Sequence, residues 1–293
     1  MKRGKAVFEE LEAVLPRERA EAFCAWVREA WGLEPVWMEK PGRVLAVVSV
    51  YEEAGAGTLA ARAGEVPRAE FGVRSVRLRR CEEKEWSTFW RHHFRTTDIG
   101  RRFRTVPAWE KCPDRKRINL RLDPGMSFGT GCHFTTRFCL EELERACGAR
   151  KVGSMLDAGA GSGILAMAAA KLGVERVVAF DFDPVCVAQF PANRRLNRLG
   201  PGAVRYELGN VLRWGRGEGK FDVVCANILS HILIAAAPRL WRLTGWRLVL
   251  AGIREVEADE VAAAFLRLGA RETTRDGDGE WCGIVMERSG RRG

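Results

Sequence analysis

The sequence predicts an α/β chain in two parts, a small layered α+β unit followed by a larger, doubly wound parallel sheet. Three observations carry this. From about residue 95 onward, strand-like and helix-like stretches alternate, as parallel strands joined by helical crossovers do. A glycine-rich turn joins the first clear strand of that series to an alanine-rich helix. The 293 residues, 46% hydrophobic and 29% charged, match a globular chain long enough for two domains.

The small unit comes first. Residues 17–31 carry Ala20, Phe23, Ala25, Trp26, Val27 and Ala30 as a helical stripe that stops at Gly32. Residues 35–38 and 43–51 read as strands around the turn signal Pro41-Gly42. A short helix is expected at 58–63, and 71–78 alternates Val73, Val76 and Leu78 as a strand does. With Val7-Phe8 as first strand, the order is β-α-β-β-α-β, which predicts a ferredoxin-like layer of helices on an antiparallel sheet. Residues 82–94 then read as one amphipathic helix, with Trp86, Phe89, Trp90 and His93 on one side. The expected organisation is a domain over 1–81, a linker helix over 82–95 and a second domain over 96–293.

In the second domain, 154–157 is a strand that runs into glycines, and 164–172 is a helix ended by Gly173. Residues 176–182 form the next strand, and 185–199 keep a helical pattern despite Pro191. Strands follow at 221–226, 246–252 and 283–288, with helices at 232–240 and 256–268. Such a sheet binds its ligand at the carboxyl ends of its strands. Asp183-Pro184 reads as the cap and first position of the helix that follows.

The turn is Asp157-Ala158-Gly159-Ala160-Gly161-Ser162-Gly163. Its glycines let the backbone turn tightly and approach a ligand, because no Cβ intervenes. Ile164 stands where a dinucleotide fingerprint needs its last glycine, so the spacing is G-x-G-x-G. That loop resembles S-adenosylmethionine-dependent methyltransferases of the Rossmann-like class. In them an acid placed like Asp157 faces the methionine amino group. Asp181, 22 residues after Gly159, ends the second strand. A carboxylate there can accept two hydrogen bonds from vicinal ribose hydroxyls.

Two further motifs narrow the resemblance. The stretch from Asp123 to Thr136 reads D-P-G-M-S-F-G-T-G-C-H-F-T-T, and Asn227-Ile228-Leu229 ends the apolar strand at 221–226. With the glycine loop, these resemble the PrmA family, which methylates ribosomal protein L11 of the large subunit. The likeness covers roughly residue 80 to the C-terminus, where Glu83-Lys84-Glu85-Trp86 and Glu280-Trp281-Cys282 are also similar; the first 80 residues match in layout and length. It implies a class I methyltransferase sheet, with a small N-terminal domain that grips the substrate. It implies S-adenosylmethionine contacts from Thr136, Asp157, Gly159, Gly161, Asp181 and Asn227. It also implies methylation of lysine side chains or an N-terminal amine. Departures are Phe134 for the family's usual proline, Ala160 for a frequent cysteine, and Ser230-His231 after N-I-L.

Asn227 is the expected catalytic residue: its side chain or nearby backbone carbonyls orient the amine's N–H bonds so that the lone pair meets the methyl. His133 is the second candidate, either as a base or as a brace that hydrogen-bonds the loop. The nine cysteines include no C-x-x-C pair and several lie in apolar runs, so they read as buried thiols, and no metal site is expected. No stretch is long and apolar enough to span a membrane and no secretory leader is expected, so the expectation is a cytoplasmic monomer. Residues 74–121 hold 15 Lys/Arg against six acids, +9 of the net +10, which reads as a solvated face or as an rRNA contact. Two other functions stay open: a nucleic-acid amino-group methyltransferase, and a non-catalytic ribosome-associated protein that binds the cofactor.

Overall fold

The computed structural model describes residues 7–31, 33, 35–39, 45–53, 58–82, 94–112, 114, 116–123 and 133–288. The chain divides into two compact units, Met1–His93 and Phe94–Gly293.

In the first unit, strand β1 (Val7–Pro16), helix α1 (Ala20–Trp31), strands β2 (Pro35–Glu39) and β3 (Leu45–Glu53), helix α2 (Thr58–Glu65), a single turn α3 (Arg68–Phe71) and strand β4 (Ser75–Glu82) follow in order. The sheet order is β2-β3-β1-β4 with every pairing antiparallel. This is the ferredoxin-like arrangement. Leu11, Ala13 and Leu15 alternate onto one face of β1, where they meet Phe23 and Val27 of α1, Leu59 of α2, and Phe71.

Strand β1 is ten residues long rather than the two-residue seed Val7-Phe8. Glu9, Glu10 and Glu12 hide it from an apolar pattern, and the partner strand explains them. They lie opposite Arg80, Arg79 and Arg77 of β4. Glu10 pairs with Arg79, and Glu9 lies 3.5 Å from Arg80. The strand expected at 71–78 is displaced to Ser75–Glu82, because Phe71 closes α3 and Gly72 turns left-handed at φ +64°. Glu82 is thus the end of a strand. Residues 83–93, which hold most of the expected linker helix, lie outside the described residues.

The second unit opens with a small sheet that the sequence reading did not anticipate. Strands β5 (Thr97–Ile99), β6 (Phe103–Pro107) and β7 (Ile118–Leu122) pair in that order. Arg104 of β6 bonds Asp98 and Asp114. Then come α4 (Phe134–Ala149), β8 (Ser154–Ala158), α5 (Ile164–Lys171), β9 (Arg176–Asp181), α6 (Pro184–Leu196), β10 (Arg205–Leu208) and β11 (Phe221–Asn227). The chain continues through α7 (Ser230–Leu243), β12 (Thr244–Arg254), α8 (Ala258–Leu266), β13 (Ala270–Gly277) and β14 (Trp281–Arg288).

The seven-stranded sheet runs β10-β9-β8-β11-β12-β14-β13. Its first five strands are parallel, and β14 pairs antiparallel with both neighbours. Both faces are apolar, as a sheet covered on two sides requires. Met155, Val177, Cys225 and Val249 point into the core that also holds residues of α4, α5 and α6. Their neighbours Leu156, Val178, Val224 and Leu248 point into the core built with α7 and α8. Strands β10 and β13 are the two edges; both are half-exposed and charged, so they carry no apolar run for sequence reading to find.

Asp222, at the start of β11, fastens that strand to β8. Its Oδ2 accepts from Gly153 N at 2.9 Å, Ser154 N at 3.0 Å and Ser154 Oγ at 3.2 Å. Asp222→Ala strands those donors and should lower the unfolding free energy by about 1–3 kcal/mol. Denaturant unfolding followed by tryptophan fluorescence checks this.

Candidate active site

The strand order reverses between β8 and β11, and this switch point is where an open α/β sheet offers a crevice. The glycine loop leaves β8 there and Asn227 ends β11 there. Register pairs Cys225 with Asp157 and Ala226 with Ala158, so Asn227 and Gly159 leave the sheet side by side. The approach is close: a Cβ on Gly159 would lie 2.4 Å from Ile228 Cγ2. Gly159, Gly161 and Gly163 have φ of +77°, +51° and +77°, a region where side chains are disfavoured. The N-I-L segment needs a glycine of its own. Gly252, at φ +77°, approaches Ile228 so closely that a Cβ would sit 2.7 Å from its carbonyl oxygen.

Asp181, at the end of β9, holds the loop. Its Oδ2 accepts from Gly161 N at 2.8 Å and its Oδ1 from Asp183 N at 3.0 Å. Each oxygen keeps a further lone pair, so the carboxylate can still receive hydroxyl donors. Asp183 in turn accepts from Val185 N at 2.8 Å and caps α6, with Pro184 at its first position. Phe182, between the two acids, is 75% exposed.

Asp157 is buried, and its Oδ2 accepts from Ala166 N at 3.0 Å in the first turn of α5. Burial pushes its carboxyl up to about 7, against the pull of that N–H and with a further push from Asp181. It therefore sits under the loop, as a poised acid at a helix start.

His133 and Thr136 belong to the start of α4. His133 is its N-cap: Nδ1 lies 2.9 Å from Thr135 Oγ1 and accepts weakly from Thr135 N at 3.4 Å. Its ring meets Trp281 edge-on, with centroids 5.1 Å apart. Thr136 is buried, and its hydroxyl has no hydrogen-bond partner among the described residues. A buried orphan of this kind calls for a polar group to complete it. Residues 124–132, the rest of that motif, lie outside the described residues.

Structure adds residues that sequence reading passed over. Tyr206 of β10 donates its hydroxyl to Gly161 O at 2.8 Å, and its ring stacks on Phe190 of α6 at 4.5 Å. Asn193 of α6 is fully buried; its Oδ1 accepts from Asp123 N at 2.9 Å and its Nδ2 donates to Ser162 O at 3.3 Å. Asn193 thus ties the glycine loop to the residue that opens the D-P-G motif. One turn on, Asn197 pairs with both backbone groups of Arg121, accepting from N at 2.9 Å and donating to O at 2.6 Å. Their spacing, N-x-x-x-N on one helix face, is the signal that was available.

Titration of Asp157 has a definite sign. Its folded pKa lies above its unfolded one, so its contribution is fully present below about pH 4 and is lost as pH rises through about 7. Asp157→Asn should therefore stabilise the ligand-free chain increasingly with pH, by as much as roughly 4 kcal/mol at pH 8. Thermal unfolding of both proteins between pH 5 and 8 checks this; a constant difference would reject it.

The residues present suit S-adenosylmethionine: a carboxylate with lone pairs free for a diol, glycines for close approach, and a buried hydroxyl without a partner among the described residues. Residues 26–289 match the family described as ribosomal protein L11 methyltransferase (PrmA). The ribosomal protein L11 methyltransferase of Geobacter metallireducens is 43% identical over 210 residues, covering 70% of this chain and 67% of that protein. Its counterpart from Burkholderia orbicola is 40% identical over 246 residues, 82% of this chain and 77% of the relative. Among solved structures, the ribosomal protein L11 methylase of Lactobacillus delbrueckii subsp. bulgaricus superposes with a TM-score of 0.61 at 29% identity, over 67% of this chain and 100% of that one. With this switch point, this loop and a match along nine-tenths of its length, the chain belongs to the ribosomal protein L11 methyltransferase (PrmA) family.

Proposed function

We propose that this chain transfers methyl groups from S-adenosylmethionine to amino groups of ribosomal protein L11, on lysine side chains or on an N-terminal amine. The observation that carries the reading is the junction of Asp181, the glycine loop and Asn227 at one switch point, in a chain of this family. The reading includes a monomer in the cytoplasm, a first unit that grips the substrate, and a contact with rRNA. No helix among the described residues is long and apolar enough to cross a membrane.

S-adenosylmethionine, when bound, supplies a methyl already activated on a sulfonium. The protein's work is then to bind, orient and exclude. Asp181 would hold the ribose hydroxyls, Gly159 and Gly161 the backbone approach, Asp157 the ammonium, and Thr136 a polar group that completes its hydroxyl. The substrate amine must arrive neutral. A free lysine with pKa about 10.4 is neutral in about one molecule per thousand near pH 7.4, a cost of roughly 4 kcal/mol. Desolvation beside the apolar ends of the strands recovers part of that. Asn227, half-exposed at the end of β11, would accept from the amine N–H and aim its lone pair. His133 is engaged with Thr135 and Trp281, so it serves as a brace, and the amine's proton leaves to water.

Incubation with labelled S-adenosylmethionine and either ribosomal protein L11, free or on the large subunit, or stripped rRNA tests the assignment. Label in the protein supports it, label in RNA points to the nucleic-acid alternative, and binding without label to a non-catalytic protein. Asn227→Ala should lower kcat by at least about 10²-fold with cofactor binding only partly weakened. Asp181→Ala should weaken cofactor binding by roughly 10²-fold, as loss of charge-assisted hydrogen bonds does. Single-turnover kinetics and calorimetry separate the two effects.

A further inference from the structure

The basic segment 74–121 is less free than its composition implies. Arg79 and Arg80 face Glu10 and Glu9, Arg104 bonds Asp98 and Asp114, and Arg117 lies 3.1 Å from Asp98. Four of its arginines are thus engaged by acids of the chain. Charge also gathers where the end of that segment, Arg121, meets a distant one. An open groove of about 540 Å³ at the seam of β7 and α6 is lined by Arg121, Arg195 and Arg198, with Asp123 as its acid.

Each arginine is telling. Arg121 donates from one terminal nitrogen to Ala108 O and Glu110 O, at 2.6 and 3.0 Å, yet its buried Nε has no partner among the described residues. Arg195 and Arg198 are exposed, and neither side chain forms a hydrogen bond or ion pair among the described residues. Lys171, which donates to Asn119 O at 2.7 Å, is near enough to Arg198 for repulsion to help burial lower its pKa. Arg198 also occupies a costly position. Helix α6 ends with Leu199 N donating to Arg194 O and Arg198 N to Arg195 O. In this termination the residue at 198 is left-handed and glycine is favoured. Arg198, at φ +57°, is the one non-glycine residue with positive φ among the described residues. Cations do complement a helix C-terminus. Arg194 serves that end, its NH1 lying 3.4 Å from Leu199 O.

We propose that the groove formed by Arg121, Arg195 and Arg198 is a binding site for the phosphodiester backbone of RNA. Guanidinium groups match phosphate oxygens in charge and in fork geometry, and exposed cations without an acidic partner are the ones a polyanion can recruit. The site lies within the second unit and does not depend on methyl transfer, so it is read without turnover.

The test is fluorescence anisotropy of the intact chain with a labelled RNA hairpin across a range of KCl. Arg195→Glu/Arg198→Glu should weaken binding at least tenfold and reduce the log–log salt slope by between one and two, as loss of two phosphate contacts requires. Methylation of free ribosomal protein L11 should stay unchanged. Arg216→Glu/Arg267→Glu, which alters net charge equally at two exposed positions elsewhere, should weaken binding less than threefold. Arg198→Gly should weaken binding severalfold with Tm unchanged or raised, which separates recognition from folding. Equal losses in the two double variants would overturn the proposal. So would full displacement of the hairpin by inorganic phosphate at matched ionic strength, since the groove would then hold any isolated oxyanion.

Discussion

The site depends on one carboxylate. Asp181 divides its two oxygens between Gly161 in the loop after β8 and Asp183 at the start of α6. Two neighbouring βα connections are thereby fixed to each other at the open end of the sheet. A loop of three left-handed glycines would otherwise be a poor platform, because glycine loses the most freedom on folding. Charge-assisted hydrogen bonds from backbone N–H groups repay that loss locally. The acid proposed to hold a diol has therefore already shaped the surface around it.

A second layer of buried polar groups extends this rigidity. Tyr206 clamps the Gly161 carbonyl, Asn193 spans Ser162 and Asp123, and Asn197 pairs with the backbone of Arg121. Buried amides are costly unless satisfied, and these are satisfied by backbone groups that would otherwise be orphans. In consequence the glycine loop, α6 and the strand leading to the D-P-G motif behave as one body. Thr136, at the start of α4, is a counterexample: its buried hydroxyl has no partner among the described residues. A buried hydroxyl of this kind calls for a polar group to complete it, which is the role proposed for the cofactor.

Charge follows the same division between internal and external use. Glutamates on β1 and arginines on β4 face one another across a sheet, so a run that reads as a basic tract is partly a structural ladder. Around the C-terminal end of α6, by contrast, Arg195 and Arg198 have no acidic partner among the described residues. Net charge is a property of composition, but availability of charge is a property of placement.

Much was legible in local pattern. Apolar runs in β8, β9, β11 and β12, the glycine spacing, the terminal acid Asp181 and the cap Asp183-Pro184 depend on neighbours in the chain, and each expresses a short-range rule of backbone geometry or burial. Strand β10, strand β13, the small sheet β5-β6-β7 and the length of β1 were not, because their residues make sense only opposite partners tens of residues away. Asn193 could be seen as a buried polar residue in waiting, but which two backbone groups it joins is set by folding. Asp157 shows the limit most plainly. Its place before the loop follows from sequence, whereas the burial that raises its pKa exists only once α5 and the sheet close over it.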